Sequence, residues 1–201
     1  TGRMAALEEI CSIGEEYQLP VIEDAAQSAG STLDGRLAGT WGKVGCFSAH
    51  PLKNLNACGD GGFVVTDDEE VATKIRSMRN HGLVDRNTVD QFGFVSRMDS
   101  IQAAILRYRL KVLPRVIKQR KKNVTLYRKL LGDNYVLHPQ DKFGQDNSWH
   151  TFVIQVDQRD ELQAYLSSKG IETAIHYPVP IHLQPAARPF GYKRGDFPMA
   201  E

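Results

Sequence analysis

Two short apolar runs that each end in a cluster of polar residues constrain this chain more than any other feature. Leu19-Pro20-Val21-Ile22 runs into Glu23-Asp24-Ala25-Ala26-Gln27, and Val44 to Ser48 runs into Ala49-His50-Pro51-Leu52-Lys53-Asn54. Short apolar runs bounded by turn residues read as buried strands. The first is preceded by helical spacing from Met4 to Tyr17, with apolar residues at Leu7, Ile10, Cys11 and Tyr17. A Gly-rich stretch separates the two runs, and Gly62 to Thr66 reads as a third strand. Polar groups at the carboxyl ends of neighbouring buried strands are where open α/β sheets hold ligands. Taken alone, Asp24 and Lys53 read as a plain ion pair rather than as a ligand site.

The remaining pattern is helical, then mixed. Thr66 and Glu69 form a capping-box pattern ahead of Val71, Ile75 and Met78. Asp99, with Gln102 three residues on, caps a predicted helix carrying Ile101, Ala104, Ile105 and Tyr108. Pro114 suits the first turn of another helix, which Ile117, Val124, Tyr127 and Leu131 carry to Gly132. The basic run Lys118 to Lys122 reads as a solvated face of that helix. Beyond it, Thr151 to Val156 alternates like a strand, Arg159 to Lys169 reads as a helix, and Ile171 to Ile175 as another strand. The tail from Tyr177 is rich in proline and reads as loop. The division expected is a larger α/β domain over residues 1–131 and a small α+β domain over 132–201.

Charge and composition narrow the function classes. Twenty-five basic against twenty-four acidic residues leave a net charge of +1, so no bulk field draws the chain to nucleic acid or a membrane. A small-molecule partner is the better expectation. No run approaches the ~18 apolar residues of a membrane span, and Thr1 to Ala6 has no signal-peptide character, which makes the cytoplasm the default location. Cys11, Cys46 and Cys58 are odd in number and far apart. They fit neither a metal knuckle nor a disulfide framework, and read as small core residues, with no metal site expected.

Glu23 to Gln27 (E-D-A-A-Q), Phe47 to Asn54 (F-S-x-x-P-x-K-N) and Gly59-Asp60-Gly61-Gly62 stand in the order and spacing of the DegT/StrS family of nucleotide-sugar aminotransferases, which the chain resembles. The resemblance continues through Arg79-Asn80-His81-Gly82, Ser96-Arg97-Met98, Gln102-Ala103-Ala104 and His176-Tyr177-Pro178. It implies a fragment of a fold type I enzyme dependent on pyridoxal 5'-phosphate (PLP): a mixed-sheet large domain with interdomain helices, then most of a small C-terminal domain. By the same resemblance Lys53 is the Schiff-base lysine and the catalytic residue, Asp24 faces the ring nitrogen, Ser48 binds the phosphate and Gln27 lies against the ring. These types suit the chemistry, because a carboxylate keeps the ring nitrogen protonated and an amine can both bond an aldehyde and move a proton. Without the resemblance Ser48 reads as a turn residue and Gln27 as a helix cap.

His176 and Tyr177 match a segment on the sugar side of the family's cleft. His50, His81, His150 and His182 read equally well as polar residues of a folded interior, and Asp60 among its glycines as part of a tight turn. The resemblance further implies a homodimer, L-glutamate as amine donor, and a nucleotide-linked keto-sugar as acceptor, of the 3-keto type, in polysaccharide biosynthesis. Two departures stand out. Val95 replaces an asparagine that in many members reaches the partner subunit's cofactor phosphate, and the family's phosphate-binding turn and stacking aromatic are expected in a part of the protein ahead of Thr1. Two rivals remain. A PLP- or PMP-dependent sugar dehydratase has histidine in place of the lysine, which Lys53 argues against. A non-catalytic regulatory protein on the same fold is the other.

Overall fold

The first apolar run emerges from helix α1 (Leu7–Glu16) into strand β1 (Ile22–Asp24), and the second forms strand β4 (Val44–Ser48) with the predicted bounds. Between them lie the short strands β2 (Thr32–Leu33) and β3 (Arg36–Leu37). Strand β5 (Gly62–Val65) follows, then helices α2 (Glu69–Met78) and α3 (Ser100–Leu131), and strand β6 (Gln145–Asp146). The computed structural model describes residues 1–132 and 140–201. The chain divides into two units, Thr1–Gln155 and Val156–Glu201.

In the first unit β1 and β4 pair in parallel, with Asp24 opposite Cys46, and β4 pairs antiparallel with β5, with Ser48 opposite Gly62. This mixed sheet has the order β1-β4-β5, and a second small sheet has the order β3-β2-β6. One buried cluster joins Ala29, Ala49, Leu55 and Ala57 to Leu106, Leu113 and Ile117 of α3; a second joins Met4, Leu7, Ala25, Leu33 and Ala38. Phe47 packs against both, so β4 is common to the two halves of the core.

Strand alternation separates two neighbouring acids. Glu23 is 6% exposed, whereas Asp24 is exposed. A buried carboxylate must be hydrogen-bonded, and Glu23 accepts three backbone N–H groups, from Gly39 (2.7 Å), Trp41 (2.5 Å) and Gly42 (2.8 Å). Lys43 N–H adds a bond to Val21 O at 2.8 Å. The turn that leads into β4 is thereby fixed against β1. It crosses β4 so closely that a Cβ on Gly45 would lie 2.3 Å from Gly39 O, which only glycine avoids.

Four expectations need correction. Pro114 does not begin a helix: α3 runs unbroken for 32 residues with Pro114 inside it. Proline there removes one backbone bond, but Leu106, Leu113, Ile117 and Val124 on both sides of it form a single buried stripe, and that burial keeps the helix continuous. Helix α2 is capped by Asp68, whose Oδ1 accepts from Val71 N at 3.0 Å; Thr66 instead accepts from Asp68 N and donates to Lys43 O. Gln102 does not close a capping box either, since its Oε1 accepts from Cys58 N at 2.8 Å. Neither Thr151–Val156 nor Ile171–Ile175 forms a strand of the named sheets, because alternation supplies a face but a ladder needs a partner in register.

The second unit contains α4 (Arg159–Ser168), near its predicted bounds, and two 3-10 turns, Ile181–Leu183 and Pro185–Phe190, in the proline-rich tail. His182 is half-buried there and meets Glu201, the last residue, at 2.8 Å. Among the described residues no helix is long and apolar enough to cross a membrane. Cys58 is exposed and Cys11 and Cys46 are only half-buried, so the core role expected of the cysteines is corrected. Burial, followed by the charge of Glu23, pushes the Cys11 thiol up. The basic run is also less solvated than expected: Arg120 Nη1 donates to Trp149 O (3.2 Å) and His150 O (2.9 Å), and Lys121 pairs with Asp146.

Two stability predictions follow. Glu23→Gln turns an amide NH₂ toward backbone donors and costs about 3 kcal/mol in urea unfolding, whereas Asp24→Asn next to it costs less than about 0.5 kcal/mol. Burial is the largest influence on the Asp141 carboxyl and pushes it up. Hydrogen bonds from Arg128 (2.8 Å) and Asn147 (2.8 Å), with the charges of Arg128 and Arg3, outweigh it and hold the group below the usual carboxylate range. A depressed carboxylate contributes stability above its unfolded value and loses it as pH falls through the folded one. Asp141→Asn therefore flattens the acid limb of Tm against pH below about pH 4, and leaves the slope near neutrality unchanged.

Candidate active site

Asp24 closes β1, and the ladder extends one bond beyond it, from Ala25 N to Cys46 O at 2.9 Å. Its Oδ1 accepts from Ala26 N at 3.1 Å in a tight local turn. Cys46 lies opposite Asp24 on β4, and Ser48 ends that strand two residues further on, so both side chains sit at the carboxyl end of the parallel pair. The Ser48 hydroxyl oxygen accepts from His50 N at 3.3 Å, leaving its own hydrogen available to an acceptor.

Lys53 sits on a turn whose base is closed on both sides. Ala49 N donates to Gly61 O and Ala57 N to Ala49 O, each at 2.8 Å, and Ala49, Leu55 and Ala57 are buried beneath it. Within the turn Lys53 N donates to His50 O (2.9 Å), Leu52 N to His50 Nδ1 (3.2 Å) and Asn56 Nδ2 to Pro51 O (2.6 Å). His50 Nε2 faces Asp60 at 3.8 Å, where the Asp60 side chain is almost fully exposed. Asp60 thus belongs to the turn, as its glycine neighbours suggest. Gln27 accepts through Oε1 from the Thr1 nitrogen.

Among the described residues neither Asp24 nor Lys53 has an ion-pair partner. The plain ion pair that the two residues allowed is therefore not formed. By contrast Lys43, also near β4, is paired with Asp68 at 3.0 Å. The strand ends thus present an acid, a hydroxyl and an uncommitted amine. Among the described residues no group of three or more His, Cys, Asp or Glu is placed to hold a metal ion.

His176 and Tyr177 belong to the second unit, where both are exposed and their ring centroids lie 5.2 Å apart. Val95 is exposed and bridges to Asn80 across the base of the 80–95 loop. Asn54, 8% exposed, was missed by the sequence reading, as were Ser31 and Ser148, both fully buried. The available signal was a polar side chain directly beside a site residue, a position that strand or turn alternation directs inward.

The whole chain, residues 1–201, matches the DegT/DnrJ/EryC1/StrS aminotransferase family. It is 41% identical over its full length to a Geobacillus stearothermophilus protein called a pleiotropic regulatory protein, covering 55% of that protein. It is 37% identical, again over its full length, to the dTDP-3-amino-3,4,6-trideoxy-alpha-D-glucose transaminase of Streptomyces venezuelae, covering 53% of it. Among solved structures, S. venezuelae DesV in complex with a ketimine intermediate superposes with a TM-score of 0.94 at 37% identity, over 99% of this chain and 54% of that one. The chain spans about half the length of the curated relatives it matches. The motifs at the strand ends, the mixed sheet and these likenesses agree: the chain belongs to the DegT/DnrJ/EryC1/StrS aminotransferase family and has the α/β fold of its fold type I members.

Proposed function

We propose that this chain carries the lysine-bearing part of a PLP-dependent aminotransferase that moves an amino group from L-glutamate to a nucleotide-linked keto-sugar. The observation that carries this reading is a Lys53 amine with no ion-pair partner among the described residues, on a turn closed by backbone hydrogen bonds after β4, the strand that pairs in parallel with the one Asp24 ends. The donor set fits the cofactor's three handles. A carboxylate suits a protonated ring nitrogen, an amine suits an aldehyde carbon, and a hydroxyl with a free hydrogen suits a phosphate oxygen.

When bound, PLP supplies an electron-accepting ring that takes up the charge left by loss of a proton from carbon. Asp24 holds a proton at the ring nitrogen, where its negative charge favours the cationic form. Lys53 Nζ would bond the aldehyde carbon with loss of water and, once a substrate amine took its place, would carry a proton between the substrate carbon and the cofactor carbon in each half-reaction. Ser48 donates to the phosphate, and Gln27 bounds the ring on the side of Ala26. His176 and Tyr177 contact the sugar nucleotide. Glutamate leaves as its 2-keto acid, the keto-sugar becomes an amino sugar, and neither atoms nor electrons remain unaccounted for. The protein works as a homodimer in the cytoplasm, in polysaccharide biosynthesis.

The acceptor is a 3-keto sugar. Two features support this: Gly59-Asp60-Gly61-Gly62 carries aspartate at its second position, and the S. venezuelae relative is named for a 3-amino sugar. The regulatory alternative keeps some footing in the name of the Geobacillus relative. A purely regulatory protein, however, has no need to hold an unpaired lysine on a closed turn beside an unpaired acid.

Two experiments test the proposal in the full-length protein that carries this chain. Borohydride reduction after loading with PLP, followed by peptide mapping, places the pyridoxyl group on Lys53, and Lys53→Ala lowers glutamate-dependent amination by at least about 10³-fold. A label on Lys43 or Lys74, or near-normal turnover of the variant, refutes the assignment. With matched 3-keto and 4-keto nucleotide sugars, NMR of the product shows the new amine at C3; an amine at C4 refutes the acceptor assignment.

A further inference from the structure

A lysine side chain has four rotatable bonds, so its reach is defined only if its backbone is held. The N-terminal side of Lys53 is held by its own N–H on His50 O at 2.9 Å. The C-terminal side depends on the next residue. Asn54 turns inward, 8% exposed, and its Nδ2 donates to Ser148 O at 3.1 Å, across 94 positions of sequence.

The Ser148 carbonyl is a fixed anchor because the segment around it is bonded from several directions. Ser148 is fully buried, and its N–H lies 3.0 Å from both Ser31 Oγ and Gly2 O. Ser31 Oγ meets Ser148 Oγ at 2.9 Å and donates to Gly2 O at 2.8 Å. A Cβ on Gly2 would fall 2.5 Å from His150 N, so the N-terminal segment lies directly against this one. Met4 N donates to Asn147 Oδ1 at 3.0 Å, and Arg120 and Lys121 of α3 hold the same segment from the helix side. A dry polar node of this kind specifies one arrangement of the elements it joins, provided its members are bonded.

Asn54 is not the cheapest residue for its place. Its Oδ1 is buried with no partner among the described residues, a cost that an apolar neighbour such as Leu55 or Ala57 avoids. What the asparagine adds is its one donor.

We propose that Asn54 is the positioning residue for Lys53: its amide, bonded to the Ser148 carbonyl, holds the turn from which the lysine reaches the cofactor. The inference rests on the assignment of Lys53 as the cofactor-binding lysine, and the node supplies an internal control. Ser148→Ala removes the hydroxyl that joins Ser31 and Gly2 but keeps the carbonyl that Asn54 uses.

The test compares Asn54→Ala with Ser148→Ala in the full-length protein by two measurements. Hydrogen exchange of the apoprotein reads the opening of residues 50–57, and borohydride trapping at limiting PLP reads the fraction of chains labelled on Lys53. Asn54→Ala raises exchange across the turn about tenfold and lowers the labelled fraction. Ser148→Ala lowers Tm yet leaves both readings close to those of the unaltered protein. Asn54→Ser, with a shorter donor, replaces the alanine variant under the same criteria if that variant does not fold. Unchanged exchange in the Asn54 variant, or an equal rise in both variants, overturns the proposal. If the unaltered protein takes its label on another lysine, the assignment of function fails instead, and the exchange comparison alone decides whether Asn54 holds the turn.

Discussion

The buried carboxylate of Glu23 organises the first unit. A charge out of water is tolerated only when its lone pairs are occupied, and here three backbone N–H groups of one turn, those of Gly39, Trp41 and Gly42, occupy them. That requirement folds the turn over the sheet, brings β4 alongside β1, and sets their register with Asp24 opposite Cys46. With Glu23 inside, the pleat leaves Asp24 outside at the strand end. Two adjacent acids of nearly identical chemistry thus take opposite places, one consumed by the fold and the other exposed at the strand end.

Strand β4 passes this order on to the lysine. Phe47 packs against both core clusters, and Ala49, fully buried, is the point from which the Lys53 turn departs and to which it returns through Ala57. The turn is therefore supported from beneath by apolar contacts and closed by backbone bonds. The side chain it carries has no ion-pair partner among the described residues, a division that suits the role proposed above for a flexible amine.

Much of this was legible in the sequence. The apolar runs led to β1 and β4, the motifs put Asp24 and Ser48 at the ends of those strands and Lys53 just beyond, and the family resemblance pointed to the fold. What escaped reading has a common physical origin, which is that tertiary contacts overrode local preference. Pro114 breaks helices in isolation, yet the stripe from Leu106 to Val124 buries enough surface to carry the helix past it. Thr66 had the side chain to cap α2 but was drawn to Lys43 O, and Asp68 took its place. The alternation in Thr151–Val156 announced a strand whose ladder depends on neighbours that no local pattern specifies. Arg120 looked solvated because its partners, the carbonyls of Trp149 and His150, lie about thirty residues away. Asn54 and Ser148, separated by 94 positions, were hidden for the same reason.

The charge balance of the chain clarifies why a site of this kind is read locally. With 25 basic and 24 acidic residues, no long-range field selects a partner, so selectivity falls to the charges that the fold sets at particular places. Exposed pairs such as Arg76 with Glu69 or Arg159 with Asp160 neutralise one another in water at little net gain. Asp24 stands at the end of one strand of a parallel pair and Lys53 on the turn that leaves the other, and among the described residues neither forms an ion pair. An amine and an acid that met would satisfy each other and leave nothing to bind. On the function proposed above, groups left unpaired at these strand ends are the ones that a ligand with a cationic ring nitrogen and an electrophilic carbon would satisfy.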